Sequence, residues 1–215
     1  TKDGGKTWTK ALYVDENTGC ADIAVSPRDP NILLASFWQF RRQPFSFNSG
    51  GKGSALFKST DGGKNWKKVS AGLPEGDLGR IVISFNPSKP TELLSIVEAK
   101  IPGLYQSADE GETWKKLNTK DNGMPEGNLG RIGLAFAPSK PNIIYSLIEA
   151  KENGLYKSTD GGENWKLVSK KNIGGRPFYY ADIFVDSGNE NRLWNLHTYV
   201  TKSEDGGKTF KVILD

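Results

Sequence analysis

Short runs of β-branched and aromatic residues alternate along the whole chain with clusters of Gly, Pro, Asn and Asp. In one part of the chain these runs occupy about 80–86, 93–99, 103–107 and 113–118. Short apolar runs bounded by turn residues predict β-strands. No stretch combines a 3.6-residue apolar period with helix-capping residues. The pattern therefore predicts an all-β protein whose strands come in groups of four.

The grouping of four runs recurs along the chain. The segment 79–114 matches 130–165 nearly throughout, 21–38 is a third copy, and 181–210 is a fourth, more divergent one. Four short strands in every ~45–50 residues are typical of a β-propeller blade. The sequence thus predicts four complete four-stranded blades in a single segment, preceded by the end of another blade. The segment is 1–215, the blades span about 20–69, 79–118, 130–168 and 180–213, and the remnant is 1–11.

An eight-residue motif, Ser/Thr-x-Asp-x-Gly-x-x-Trp/Phe, occurs five times, between the third and fourth strands of each unit. Its aspartates are Asp3, Asp61, Asp109, Asp160 and Asp205, and its aromatic residues are Trp8, Trp66, Trp114, Trp165 and Phe210. An Asp side chain can accept backbone N–H groups of its own turn, and glycine permits a positive φ. We therefore expect structural turns with buried aromatic anchors, at Trp66, Trp114, Trp165 and Phe210. A metal or catalytic site at each aspartate is the less favoured alternative.

These motifs resemble the Asp-box, or BNR-repeat, β-propellers, over essentially the whole chain. That superfamily includes sialidases, xyloglucanases, sortilin-type receptors and a photosystem II assembly factor. Through FWQFRRQPFSFNSGGKGSALFKSTDGG, LPEGDLGRI and FYYADIFVD, the chain is most similar to bacterial sortilin-like repeat proteins. The resemblance implies that the Asp boxes are structural. Because such propellers usually close with six or more blades, it also implies an arc completed by further blades of the same protein or by another chain.

Composition excludes several classes of protein. The 29 Lys and Arg against 25 Asp and Glu give a net charge of +4 without a long basic run, which argues against a nucleic-acid partner. With one Cys and one His, no disulfide framework, metal site or cofactor is expected. No apolar stretch is long enough to insert into a membrane. The segment has no signal peptide, and the resemblance implies an extracellular or periplasmic location.

The first unit carries an insertion at 38–54 that interrupts the repeat. From Trp38 to Leu56 is 18 positions, whereas the equivalent span from Glu98 to Leu104 is 6. Up-and-down topology puts this loop on the same side as the blade-to-blade loops. Arginine and aromatic side chains on such loops are typical of recognition surfaces. The candidate ligand-binding residues are Trp38, Phe40, Arg41, Arg42, Phe45, Phe47, Arg80, Arg131 and Arg176. The alternative is a loop that folds back over the neighbouring blade.

Arg80 and Arg131 occupy equivalent positions at the start of inner strands. Antiparallel pairing of 81–85 with 93–97 puts Arg80 opposite Glu98, and Arg131 falls opposite Glu149 in the same register. A repeated cross-strand ion pair is the favoured interpretation. An arginine clamp for a ligand carboxylate, as in sialidases, is the alternative.

Four other residues have more than one possible role. His197 lies in the second strand of the last unit and is expected to be packed rather than catalytic. Cys20 begins an inner strand and is expected to be a buried small hydrophobe. Tyr179 and Tyr180 either line the channel or pack between blades.

No catalytic set can be identified. A glycosidase needs two carboxylates that flank the scissile bond, and the candidates are Glu75, Asp77, Glu126 and Asp182. The sequence favours a non-catalytic recognition or scaffolding propeller that binds a protein, peptide or glycan through its loops. The alternative function is a sialidase- or xyloglucanase-like glycoside hydrolase.

Overall fold

The computed structural model describes residues 1–118, 121–125, 129–151, 153–174 and 182–214. Across these ranges the regular secondary structure is entirely β, as the apolar pattern predicts. No helix in them is long and apolar enough to span a membrane.

The strands form four antiparallel sheets. The first contains β1 (Thr18–Val25), β2 (Leu33–Gln43), β3 (Ser46–Ser49), β4 (Ala55–Ser59) and β5 (Lys67–Val69). The second contains β6 (Leu78–Phe85), β7 (Leu93–Ala99), β8 (Gly103–Ser107) and β9 (Lys115–Lys116). The third contains β10 (Ile132–Phe136), β11 (Ile144–Ile148), β12 (Gly154–Ser158) and β13 (Lys166–Ser169). The fourth contains β14 (Asp182–Val185), β15 (Leu193–Leu196), β16 (Val200–Ser203) and β17 (Lys211–Leu214).

In the last three sheets, strands adjacent in the chain are adjacent in the sheet. The first has the order β1-β2-β4-β5, and β3 pairs with the extended end of β2. The prediction of four four-stranded blades is thus confirmed, with the insertion added to the first as a β-hairpin.

The chain divides into two compact units. The first comprises Thr1–Phe85, Pro90–Lys100 and Ser107–Lys115, and the second comprises Asn86–Lys89, Ile101–Gln106 and Lys116–Asp215.

Each unit has its own apolar core. In the first unit, Leu34, Leu56, Ile81 and Val97 are fully buried, and the Ser36 hydroxyl donates to the Ile81 carbonyl at 2.7 Å. In the second unit, a cluster of buried residues includes Tyr145, Leu147, Leu155, Leu193 and Phe210. Burial of a side chain of this size contributes roughly 1.5–3 kcal/mol.

All five Asp boxes form the same hydrogen-bonded turn. In the second box, Asp61 accepts the backbone N–H of Asn65 at 2.9 Å, and the Ser59 hydroxyl donates to Asp61 at 2.9 Å. The aspartates of the other boxes accept the equivalent N–H from Thr7, Thr113, Asn164 and Thr209. The structural role predicted for the motif is therefore confirmed.

The turns lower the pKa of their carboxyl groups, because each hydrogen bond favours the ionised form. For Asp61, the backbone N–H and the side chain of Asn65 are the main causes, and the pKa is about 2. For Asp205, partial burial acts in the opposite direction, but the hydrogen bonds from Thr209 outweigh it and the pKa is also about 2.

Acid should therefore destabilise the boxes. A carboxylate whose folded-state pKa is lowered stabilises the fold above the unfolded-state value near 3.8, and this contribution is lost as the pH falls through about 2. We expect the urea midpoint to fall over that window. In Asp61→Asn the midpoint should be lower at neutral pH but should fall less steeply in acid. Parallel curves for the variant and the wild type would contradict the assignment.

The prediction for the aromatic anchors is confirmed at three boxes and wrong at one. Trp114, Trp165 and Phe210 are buried, whereas Trp66 is only half-buried. Two of the buried anchors bond the connection that precedes their own blade. The backbone N–H of Trp114 donates to the Ala71 carbonyl at 2.9 Å, and the backbone N–H of Trp165 donates to the Asn122 carbonyl at 2.7 Å. The connection before β1, TKALYVDEN, contains no glycine, whereas Gly72 and Gly123 of the next two connections lie against the backbone of Trp114 and Trp165.

The prediction that Cys20 is buried is wrong. Its side chain is exposed, and its thiol donates to the Asp22 carbonyl at 3.5 Å. The pairing of β1 with β2 shifts register between Cys20 and Asp22. Such a bulge interrupts the alternation of inward and outward side chains from which the burial was inferred.

Candidate functional site

The insertion in the first unit forms a two-stranded ribbon whose aromatic residues share one face. Phe40 pairs with Ser49 and Arg42 pairs with Phe47 across β2 and β3. Alternation along the strands therefore places Trp38, Phe40 and Phe47 on the same face. The Trp38 and Phe40 ring centroids are 4.4 Å apart, and those of Phe40 and Phe47 are 5.4 Å apart. We call these three residues the aromatic face.

Hydrogen bonds fix the base of the aromatic face to the second blade. The indole N–H of Trp38 donates to the Ser49 hydroxyl at 3.1 Å, and that hydroxyl donates to Glu98 at 2.9 Å. The Arg80 guanidinium lies 5.8 Å from the centroid of the Trp38 ring. The indole is thus held in one orientation from two sides.

The ribbon is attached at its base and exposed at its tip. The Gly51 N–H donates to the Leu78 carbonyl of β6 at 3.0 Å, which joins the two blades. At the other end, Phe45 is 86 % exposed and Phe47 is 51 % exposed. The base of the insertion thus contacts the neighbouring blade while its tip faces solvent, and a recognition role for the tip stays a prediction.

The two ribbon arginines lie on opposite faces. Arg42 is opposite Phe47 and therefore on the aromatic face, whereas Arg41 is opposite Asn48 and on the other face. Both side chains are exposed.

The predicted register of β6 and β7 is confirmed over 81–85, but the predicted ion pair is not formed. Ile81 pairs with Val97, and the register then shifts between Leu78 and Ile81. Within that bulge, Glu98 accepts the backbone N–H of Arg80 at 2.8 Å. The carboxylate therefore binds the backbone, and the guanidinium is left to lie on Trp38.

Arg131 belongs to the second unit. Glu149 accepts its backbone N–H at 2.9 Å, as Glu98 does for Arg80, and its guanidinium forms an ion pair with Asp182 at 3.0 Å. Arg176, the remaining arginine among the candidate ligand-binding residues, lies outside the described residues, as do Tyr179 and Tyr180.

His197 follows the end of β15 and lies in a turn rather than in a strand. It is half-buried, and its Nδ1 accepts the Tyr199 N–H at 3.4 Å. Burial lowers its pKa, against a smaller opposing effect of the Asn172 backbone. His197 lines an open cleft of the second unit with Asn172 and Gly174.

Three of the four candidate carboxylates lie in the part of the chain that the structure describes. Glu75 and Asp77 are exposed on the connection before β6, and Asp182 is engaged by Arg131. Glu126 lies outside the described residues. Among the residues that are described, no three His, Cys, Asp or Glu side chains cluster as metal ligands do.

Sequence reasoning found the rings of the aromatic face but not the residues that orient them. Trp38 occupies the position that Glu98 holds in the second blade, which was the available signal that this position is special. Nothing in the sequence indicated that Ser49 links Trp38 to Glu98.

Similarity to solved structures shows the fold. An ancestral GH74 enzyme matches with a TM-score of 0.61 at 16 % identity, and the match covers 94 % of this chain and 25 % of that one. YCF48 from Cyanidioschyzon merolae matches with a TM-score of 0.54 at 18 % identity, over 93 % of this chain and 57 % of that one. The four sheets and five Asp boxes thus define an Asp-box β-propeller protein.

A family model assigns the chain more narrowly. The Sortilin-Vps10 model, described as sortilin, neurotensin receptor 3, matches residues 54–213. The chain therefore belongs to the Sortilin-Vps10 family.

Relatives by sequence are mostly named as xyloglucanases. A probable oligoxyloglucan-reducing end-specific xyloglucanase of Neosartorya fischeri is 31 % identical in an alignment 187 positions long that covers 83 % of this chain and 20 % of the relative. Xyloglucanase Xgh74A of Acetivibrio thermocellus is 27 % identical in an alignment 235 positions long, gaps included, that covers 90 % of this chain and 27 % of the relative. The chain thus spans about a fifth to a quarter of these relatives. These matches favour the glycoside hydrolase alternative over the non-catalytic interpretation.

Proposed function

We propose that the chain is part of an exported, xyloglucanase-like glycoside hydrolase propeller and that its aromatic face binds the polysaccharide. The relatives named as xyloglucanases support the class of reaction. The observation that carries the proposal is the row of adjacent rings of Trp38, Phe40 and Phe47. Phe40 and Phe47 are exposed, and the half-buried Trp38 is hydrogen-bonded to Ser49.

The chemistry of the aromatic face suits a sugar chain. A pyranose ring has an apolar face of C–H groups, which packs against an aromatic ring, and a polar rim of hydroxyl groups. Ser49 and Glu98 lie beside Trp38 and offer hydrogen-bonding groups to such a rim. Recognition sites commonly combine apolar walls with a few placed polar groups in this way.

The face is also ordered before any ligand binds. Trp38 is oriented by Ser49, and Ser49 is oriented by Glu98, which accepts the Arg80 N–H as well. A side chain that is already fixed loses little conformational entropy on binding. A sugar chain should therefore bind more tightly to this fixed Trp38 side chain than to the same rings without the hydrogen bonds.

Apolar residues exposed in each unit support the proposal that further blades bind there, from the same protein or from another chain. In the first unit Ile23 is exposed, although its equivalent Ile83 in the second blade is buried. In the second unit Ile213 is exposed, whereas its equivalents Val69 and Leu117 are buried. Fast hydrogen exchange along β1 in every assembled form of the protein would contradict this proposal.

A test of the function replaces two rings of the aromatic face. We expect the full chain to bind xyloglucan, and the double variant Phe40→Ala/Phe47→Ala to raise the dissociation constant about tenfold or more, as for central aromatic contacts. The matched control is Trp8→Ala, which removes a ring that is 76 % exposed and lies outside the insertion. It should leave binding unchanged. Affinity electrophoresis and the release of reducing ends measure binding and hydrolysis separately.

The outcomes separate the two candidate functions. Absence of xyloglucan binding by the wild type would reject the proposal. Binding without hydrolysis by the assembled propeller would favour the non-catalytic recognition function, which the match to the Sortilin-Vps10 family supports.

A further inference from the structure

The aromatic face carries a guanidinium group at each end. Arg80 lies over Trp38 at the base, and Arg42 is directly across from Phe47 near the tip. Four residues of extended strand separate Trp38 from Arg42, which corresponds to ~13 Å. The two arginines therefore bracket the row of rings.

The insertion is strongly biased in charge. Residues 38–54 include Arg41, Arg42 and Lys52 and contain no Asp or Glu, although acidic and basic residues are nearly balanced in the whole chain. At the base of the aromatic face the Glu98 carboxylate is already bonded to the Ser49 hydroxyl and to the Arg80 N–H. On the opposite face of the ribbon, the Gly53 N–H donates to the Gln39 side chain at 3.0 Å. The Asp15 carboxylate also lies beside Gly53. The aromatic face is thus cationic near its tip.

A neutral β-glucan can offer hydroxyl oxygens to these guanidinium groups, but it carries no negative charge to match theirs. Stacking on Trp38, Phe40 and Phe47 accounts for binding to any sugar chain, but not for arginines at both ends of the stack. A carboxylate is the group whose geometry a guanidinium matches with two parallel hydrogen bonds. On a uronic acid the carboxylate projects from the edge of the ring, so that the apolar face stays free to stack.

We propose that the aromatic face recognises an acidic oligosaccharide, in which uronic acid residues present carboxylates to Arg42 and Arg80 while their rings stack on the aromatic side chains. This inference rests on the proposed function, in which the aromatic face binds a sugar chain, and adds a preference for acidic chains over neutral ones such as xyloglucan, which bind to the same rings more weakly. The charge bias of the insertion selects this occupant over a neutral glucan, and the row of rings selects it over an acidic peptide.

The test compares charged and neutral ligands on the full chain by isothermal titration calorimetry. Tetragalacturonate should bind about threefold to fivefold more tightly than cellotetraose, as expected for solvent-exposed charge pairs. Raising the ionic strength should remove this preference.

Two neighbouring arginines provide a matched pair of variants. Arg42→Gln should abolish most of the preference for tetragalacturonate, because it weakens tetragalacturonate binding much more than cellotetraose binding. Arg41→Gln removes the same charge from the opposite face and should retain the preference. Circular dichroism should show that both variants fold, since both side chains are exposed.

Several results would overturn the inference. Equal affinity for tetragalacturonate and cellotetraose would reject it while leaving the proposed function standing. Equal losses in Arg41→Gln and Arg42→Gln would show a diffuse electrostatic attraction instead of a site. Tighter binding of tetraglutamate than of tetragalacturonate would identify a peptide as the occupant. Absence of binding to any saccharide, xyloglucan included, would reject the proposed function as well.

Discussion

Replacing Trp114 by Ala is expected to lower the free energy of unfolding by about 3–5 kcal/mol. The indole is only 5 % exposed, and its N–H donates to the Gly111 carbonyl at 3.2 Å. Its removal leaves a cavity where the Asp box meets the preceding connection. Urea denaturation followed by circular dichroism measures the loss.

Trp8 is the matched control, because it occupies the same position of the same motif. Its indole also donates to a box glycine, Gly5, at 3.0 Å, but the side chain is 76 % exposed. Trp8→Ala should therefore cost less than about 0.5 kcal/mol. Similar losses for the two variants would mean that the local turn, and not burial beneath the connection, sets the contribution of the anchor.

Replacing Gly72 by Ala should destabilise the first unit by about 3 kcal/mol or more, the sum of backbone strain and overpacking. Gly72 has φ of +78°, a conformation that other residues adopt with difficulty. A Cβ there would also overlap the carbonyl oxygen of Trp114, which is backbone and has little freedom to move.

Gly76 separates the two contributions. It has φ of +88°, but a Cβ at this position would have no atom within 4 Å. Gly76→Ala should therefore show the strain alone, about 1–2 kcal/mol. Equal destabilisation at Gly72 and Gly76, measured by urea denaturation, would show that the contact with Trp114 adds nothing.

The fold was predictable because the repeat supplies several independent copies of each element. The register of β6 with β7 follows from the apolar pattern and is observed from Ile81 to Phe85. The Asp boxes were equally predictable, since their hydrogen bonds are local and are repeated five times. The errors at Trp66 and Cys20 both concern the first blade, where burial depends on a preceding connection or on a bulge that the pattern does not encode.

The candidate site was predictable in composition but not in geometry. The interrupted repeat indicated Trp38, Phe40 and Phe47, because an insertion stands out against regular copies. The geometry depends on the bulge between Leu78 and Ile81. Because of this bulge, Glu98 accepts the backbone N–H of Arg80, and the Arg80 guanidinium lies on Trp38. Cross-strand reasoning assumes an unbroken ladder and therefore predicted an ion pair.

The Asp-box motif does not distinguish a catalytic propeller from a non-catalytic one. The Asp box is a device of the fold, and one fold can carry many functions. Its five copies therefore predict a propeller with or without catalysis. The relatives named as xyloglucanases favour a glycoside hydrolase over a non-catalytic propeller.

A crystal structure of the protein with a bound xyloglucan oligosaccharide tests the central claim most directly. The account predicts that sugar rings stack on Trp38, Phe40 and Phe47, with hydroxyl groups within hydrogen-bonding distance of Ser49 or Glu98. Binding at saturating concentration to another surface, with these three rings still facing solvent, would contradict it.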